Sequence, residues 1–166
     1  MLESHEQITV EHCIQLTRRE QHNTLQSHLL VPVSMNGRSG FLFSVEPSRS
    51  KTLVSVRTIE TLGISVDDPP STVCISDKLV YPLLRLESIA VATAELRDFE
   101  VVAWGRPVLP QEILANEQED RLYHLGYQPQ SAIDSIIECR GVLGADFLRD
   151  FTVSLDFHTD TLVLQR

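Results

Sequence analysis

The N-terminal part of the chain alternates before it does anything else. In I-T-V-E-H-C-I-Q-L, Ile8, Val10, His12, Ile14 and Leu16 fall on one side and polar residues on the other. That period of two predicts a strand. A polar break follows, R-R-E-Q-H-N-T, and then L-Q-S-H-L-L-V-P-V-S-M runs up to N-G-R-S-G. Asn36-Gly37 suits a tight hairpin turn because both residues tolerate positive φ. Leu29 to Val45 therefore reads as a hairpin, with Phe41 to Val45 in its returning strand.

The period changes at S-V-R-T-I-E-T-L, where Val56, Ile59 and Leu62 stand at helical spacing. Gly63 is placed to stop that helix. The stretch Asp67 to Thr72, D-D-P-P-S-T, reads as a loop, since two consecutive prolines cannot continue a ladder. Alternation returns from Leu79 to Trp104, with a turn near Ala92 and Thr93, so a second hairpin is predicted. Pro107 to Pro110 ends it. Pro110 to Tyr127 reads as mostly helical, and Gln128 to Arg140 as either a helix end or a strand. In G-V-L-G-A-D-F-L-R-D-F an apolar strand end and Gly144 lead into one or two helical turns. Finally T-V-S-L-D-F and T-L-V-L flank H-T-D as a closing hairpin. Many short strands with few helices predict an all-β barrel or sandwich built mainly of antiparallel hairpins. The expected organisation is one domain: an N-terminal strand and polar connector over 1–28, the main unit over 29–166, and a helical insert over 110–140.

Composition narrows the function classes. The 166 residues are 42% hydrophobic and 22% charged, an ordinary globular balance with enough apolar material for a core. Fourteen Lys and Arg against 23 Asp and Glu give a net charge of −9, which disfavours nucleic acid and anionic membrane surfaces as partners. The opening M-L-E-S-H-E-Q lacks the basic start and apolar run of a signal peptide. No stretch reaches the ~20 apolar residues of a membrane span. Cys13, Cys74 and Cys139 are scattered and odd in number, which argues against a disulfide framework or a zinc site. They are expected to be small buried thiols in a cytoplasmic protein. His5, His12, His22, His28, His124 and His158 show no metal-binding spacing, and His12 is read as a partly buried strand residue. No cofactor is implied.

Two stretches carry a family resemblance. G-V-L-G-A-D-F-L-R-D-F-T-V-S-L-D-F-H-T-D-T-L-V-L is similar to the C-terminal signature of retropepsin-like aspartic proteases, with Gly141, Val142, Leu143, Gly144 and Asp146 at its centre. Upstream, L-L-V-P-V-S-M-N-G-R-S-G-F-L-F-S-V-E-P-S resembles that family's first hairpin, which ends in Asp-Thr-Gly-Ala-Ser. The helix V-R-T-I-E-T-L-G-I and the hairpin that follows stand in the same order. The likeness spans Leu29 to Leu164. On this resemblance the Asp-Thr-Gly-Ala-Ser motif falls on Ser44, Val45, Glu46, Pro47 and Ser48, and only the serine matches.

The resemblance implies chemistry that these residues do not supply. Acid proteolysis needs two carboxylates sharing a proton and activating a water. Ser44 ionises far too weakly to replace one. Val45 has no hydroxyl to tie two loops together, and Glu46 brings bulk and charge where the family has glycine. Three other carboxylates fit structural duties: Asp146 at a helix start, and Asp156 and Asp160 around the last turn. Ser44 also lies outside any G-x-S-x-G setting. The implied function is a catalytically inactive retropepsin-like domain that binds a peptide or protein partner, with a homodimer as an option. One alternative is an aspartic-type endopeptidase using Glu46, which lies two residues past Ser44 and so on the same side of an extended strand. Another is a structural subunit of a larger complex.

Overall fold

The computed structural model describes residues 10–20, 27–76, 79–105 and 140–166. The insert expected over 110–140 falls outside them apart from Arg140, as do Cys139, His5, His22 and His124.

The first hairpin forms as its turn residues require. β1 (Glu11–Gln15) and β2 (Thr17–Glu20) precede β3 (Ser27–Met35) and β4 (Arg38–Val45). Asn36 and Gly37 take φ of 48° and 75°, the left-handed pair that a two-residue hairpin turn demands. The turn is also fastened sideways: Asn36 N–H donates to the Ser88 carbonyl and Asn36 Oδ1 accepts from Ser88 N–H. β2 is a correction to the sequence reading, because it starts inside the polar break. Among the described strands it pairs with β3 alone and lies at the sheet edge, where no apolar alternation is needed.

β5 (Leu53–Ser55) leads directly into α1 (Val56–Thr61). Ser55 caps the helix by accepting from Thr58 N–H at 3.2 Å, and the helix buries Val56, Thr58 and Ile59. Gly63, at φ 79°, ends it as expected. β6 (Ser71–Ser76) starts within the stretch read as a loop, immediately after Pro70. β7 (Leu79–Val91) and β8 (Ala94–Trp104) form the expected hairpin about Ala92 and Thr93.

The remaining elements are β9 (Gly141–Leu143), α2 (Ala145–Leu148), β10 (Thr152–Asp156) and β11 (Thr161–Gln165). The larger sheet runs β2-β3-β4-β9-β5-β8-β7-β6 and closes on itself where Ser34 and Met35 of β3 meet Ala90 and Ile89 of β7. The result is a β-barrel, whose closure removes inner edges. A smaller sheet, β1-β11-β10, joins the first described strand to the last. One main core lies between these layers, with Met35, Phe43, Val54, Ile59, Leu143 and Phe147 among its fully buried side chains. Phe147 packs edge-on against Phe99, ring centroids 6.0 Å apart, and also meets Phe151.

The thiols differ from expectation. Cys13 and Cys74 are exposed and unbridged. Cys13 falls on the outward side of β1 between His12 and Ile14, and Cys74 is on the edge strand β6, so neither position offers a core. Among the described residues no helix is long and apolar enough to cross a membrane.

Candidate functional site

Two strands distant in sequence meet in parallel at the site. β4 pairs with β9 through Phe43 and Gly141, Ser44 and Val142, and Val45 and Leu143. Glu46 N–H then donates to the Leu143 carbonyl at 3.0 Å, and the chain leaves the ladder. The glycines of G-V-L-G allow this approach. A Cβ on Gly141 would lie 2.5 Å from both the Leu53 carbonyl oxygen and the Phe43 ring. One on Gly144 would lie 2.5 Å from the Lys51 carbonyl carbon. Neither glycine needs an unusual φ; both are there because a neighbouring backbone is.

The loop from Glu46 to Thr52 is strapped onto the start of α2. Arg49 N–H donates to the Glu46 carbonyl, and the Arg49 carbonyl accepts from Ala145 N–H at 2.7 Å. Thr52, fully buried, accepts from Gly144 N–H at 3.0 Å and donates to Asp146 Oδ1 at 2.7 Å. Asp146 is at the helix start, as its sequence position implies. Its carboxylate is held by Thr52 and by Phe147 N–H rather than by a helix dipole, which four residues barely develop. Asp146 Oδ2 is buried without a hydrogen-bond partner among the described residues.

Ser44 and Glu46 share a face, as the strand period requires. Ser44 is inside the ladder, between Leu30 of β3 and Val142 of β9, and only 9% exposed. Its hydroxyl donates to Glu46 Oε1 at 3.4 Å, the long end of a hydrogen bond. Glu46 Oε2 is engaged by Arg49 Nε at 2.6 Å, with 38% of the Glu46 side chain and 47% of that of Arg49 exposed. Pro47 and Ser48 continue the exposed loop, and Val45 packs partly against the core.

The other sequence candidates lie elsewhere. Asp156 closes the β10–β11 turn, accepting from His158 N–H, Thr159 N–H and the Thr159 hydroxyl. These bonds hold its carboxyl below the usual carboxylate range, the Thr159 hydroxyl foremost. Asp160 is in the same turn at φ 51°. His12 is half-buried and hydrogen-bonded to Thr93. Among the described residues no group of three His, Cys, Asp or Glu side chains is placed to hold a metal ion. Two participants escaped the sequence reading. Arg49 lies three residues past Glu46 in a loop, where no helical spacing signals the pair. Thr52 carries no such signal, since both its partners come from a segment far along the chain.

No protein-family model matches the chain, and no curated protein matches it in sequence. Solved structures do. The chain is similar to a retropepsin-like aspartic protease from Rickettsia conorii, with a TM-score of 0.57 over 95% of this chain and 92% of that one, at 13% identity. The retroviral protease-like domain of Ddi1 from Leishmania major aligns over 81% of this chain and 86% of that one, with a TM-score of 0.45 and 14% identity. The fold is thus retropepsin-like.

Proposed function

We propose that this chain is a retropepsin-like domain without peptidase activity that binds an extended peptide or protein segment in a cytoplasmic setting. One observation carries the reading. At the crossing of β4 and β9, Ser44 is enclosed in the ladder, and the neighbouring carboxylate, Glu46, is already paired with Arg49 at 2.6 Å. Aspartic-type hydrolysis requires two carboxylates facing one water. Among the described residues, the Glu46 carboxylate has hydrogen-bond partners only in Ser44 and Arg49. Strand addition by a peptide needs main-chain hydrogen bonds and side-chain pockets, not a carboxylate pair. A homodimer is compatible with this role and is not required by it.

A second reading has its own observation. Glu46 is the first residue beyond the ladder, its N–H is fixed to Leu143, and its side chain is accessible. A second copy presenting the same loop would supply the missing carboxylate, making a peptidase based on Glu46. The discriminating experiment is cleavage of a diverse peptide mixture by concentrated protein from acid to neutral pH, with Ser44→Ala and Glu46→Gln in parallel. The binding reading expects no cleavage by any of the three. Turnover that survives Ser44→Ala and disappears in Glu46→Gln would overturn it.

A further inference from the structure

A cleft of about 480 Å³ opens where the end of the small sheet faces the β7–β8 turn. It shares no residue with the Glu46–Gly144 site. Its size is within the roughly 300–1,000 Å³ of small-ligand sites. The floor is apolar, formed by Ala94 and Phe151, both nearly buried. Val10 forms an apolar lip, 48% exposed, one of two large hydrophobic residues that the described surface leaves open.

The polar groups are arranged unequally. The Arg166 guanidinium stands over the Phe151 ring, 5.8 Å from its centroid, and no carboxylate among the described residues forms an ion pair with it. Its backbone is fixed by reciprocal hydrogen bonds with Val10, so the side chain starts from a set position. Glu95, the acidic residue of the lining, has Arg97 beside it at 3.2 Å, a solvated contact that leaves its carboxylate in competition for Arg166. His12 is oriented by its 2.7 Å hydrogen bond between Nδ1 and the Thr93 hydroxyl, which leaves Nε2 for a ligand. A planar guanidinium over an aromatic ring, with no ion-pair partner among the described side chains, is suited to bind a carboxylate in a bidentate fashion. The apolar floor beside it suits an aliphatic or aromatic body.

We infer that this cleft binds an apolar carboxylate, with the acid group on Arg166 and His12 and the apolar body against Val10, Ala94 and Phe151. A free acylated amino acid and the last residue of a peptide present the same chemistry. Two-dimensional amide spectra of the whole chain, titrated with N-acetyl-leucine, with its carboxamide, and with a tetrapeptide ending in leucine, test this. The acid is expected to shift the amides of Val10, Ala94 and Glu95 and the Arg166 side-chain N–H. The carboxamide should bind at least about tenfold more weakly, and Arg166→Gln should reduce the acid to the level of the carboxamide. A tetrapeptide tighter than N-acetyl-leucine assigns a chain terminus as the ligand, and the reverse assigns a free acid. Absence of shifts at these positions up to about 10 mM ligand, equal binding of acid and carboxamide, or unchanged binding in a folded Arg166→Gln would each overturn the assignment.

Discussion

Thr52 is the residue on which the crossing depends, and Thr52→Val tests that dependence with little change of shape. The side chain is fully buried and uses its hydroxyl twice, towards Gly144 N–H and Asp146 Oδ1. Valine fills nearly the same volume and does neither. Loss of a hydrogen bond to a charged group costs about 1.5–3 kcal/mol, and a buried N–H left without an acceptor costs about 1–3 kcal/mol. The two losses overlap, because α2 can shift to relieve both, so the expected destabilisation is about 2–5 kcal/mol. A domain has about 5–15 kcal/mol in all, so this is a large fraction. At about 2–4 °C per kcal/mol for a chain of this size, the midpoint should fall by roughly 4–20 °C.

Urea unfolding followed by circular dichroism measures the loss, with the slope checked for constancy. The cycle Thr52→Val, Asp146→Ala and the double variant separates the two bonds. A coupling of about 0.5–3 kcal/mol is expected, since the residues touch. A loss below about 0.5 kcal/mol in Thr52→Val would refute the account of a strapped loop, because surface changes produce effects of that size. A full loss with no coupling would place the whole effect on Gly144 N–H.

Other outcomes follow from single contacts. Gly141→Ala puts a methyl 2.5 Å from the Leu53 carbonyl oxygen and the Phe43 ring, and neither the backbone nor the buried ring can move aside. Its cost should reach about 3 kcal/mol or more, read as a lower urea midpoint. Asp156 has a depressed pKa in the folded state, so its turn bonds stabilise at pH above the ordinary carboxylate value and are lost as pH falls through the depressed one. Asp156→Asn should accordingly unfold more easily than the parent at neutral pH, with the difference shrinking in acid. The Cys13 thiol is pushed up, first by its hydrogen bond to Glu11, then by desolvation and the Glu11 charge. Alkylation at neutral pH should be slow for so exposed a thiol and should quicken in Glu11→Gln.

What the sequence disclosed was local. Asn36-Gly37 specifies a turn by its own φ preferences, and the structure has that turn. Val56, Ile59 and Leu62 specify a helix by their spacing and Gly63 its end, and the structure has that helix. G-V-L-G-A-D-F-L was legible as a strand end and a short helix, while the close backbone approach at its glycines was not. What escaped was set by distant partners. β5 is three residues long, and its neighbours are β8 and β9, so no period could reveal it. β2 is polar and becomes a strand because β3 offers an edge. Cys13 looked like a core residue by type, but its register on β1 turns it outward. At the site, Ser44 and Glu46 were correctly read as one face, while the burial of Ser44 depends on β9 arriving beside it.

The pairing of β4 with β9 bears on both readings of the site. Ser44, between Leu30 and Val142 in the ladder and 9% exposed, carries no carboxylate, whereas Glu46 is more accessible at the end of the ladder. The Arg49 contact does not by itself silence Glu46. Both partners are more than a third exposed, and an ion pair so solvated contributes only about 0–1 kcal/mol, which a second copy or a ligand can replace. The decisive requirement is therefore the second carboxylate. The nearby candidate in this chain, Asp146, is committed to Thr52 and Phe147, and its free oxygen is buried. Catalysis by Glu46 would need another copy of the loop. Oligomeric state and activity are thus one question for this protein: sedimentation showing a monomer at the concentrations of the cleavage assay removes the Glu46 peptidase, and a dimer leaves Glu46→Gln to decide.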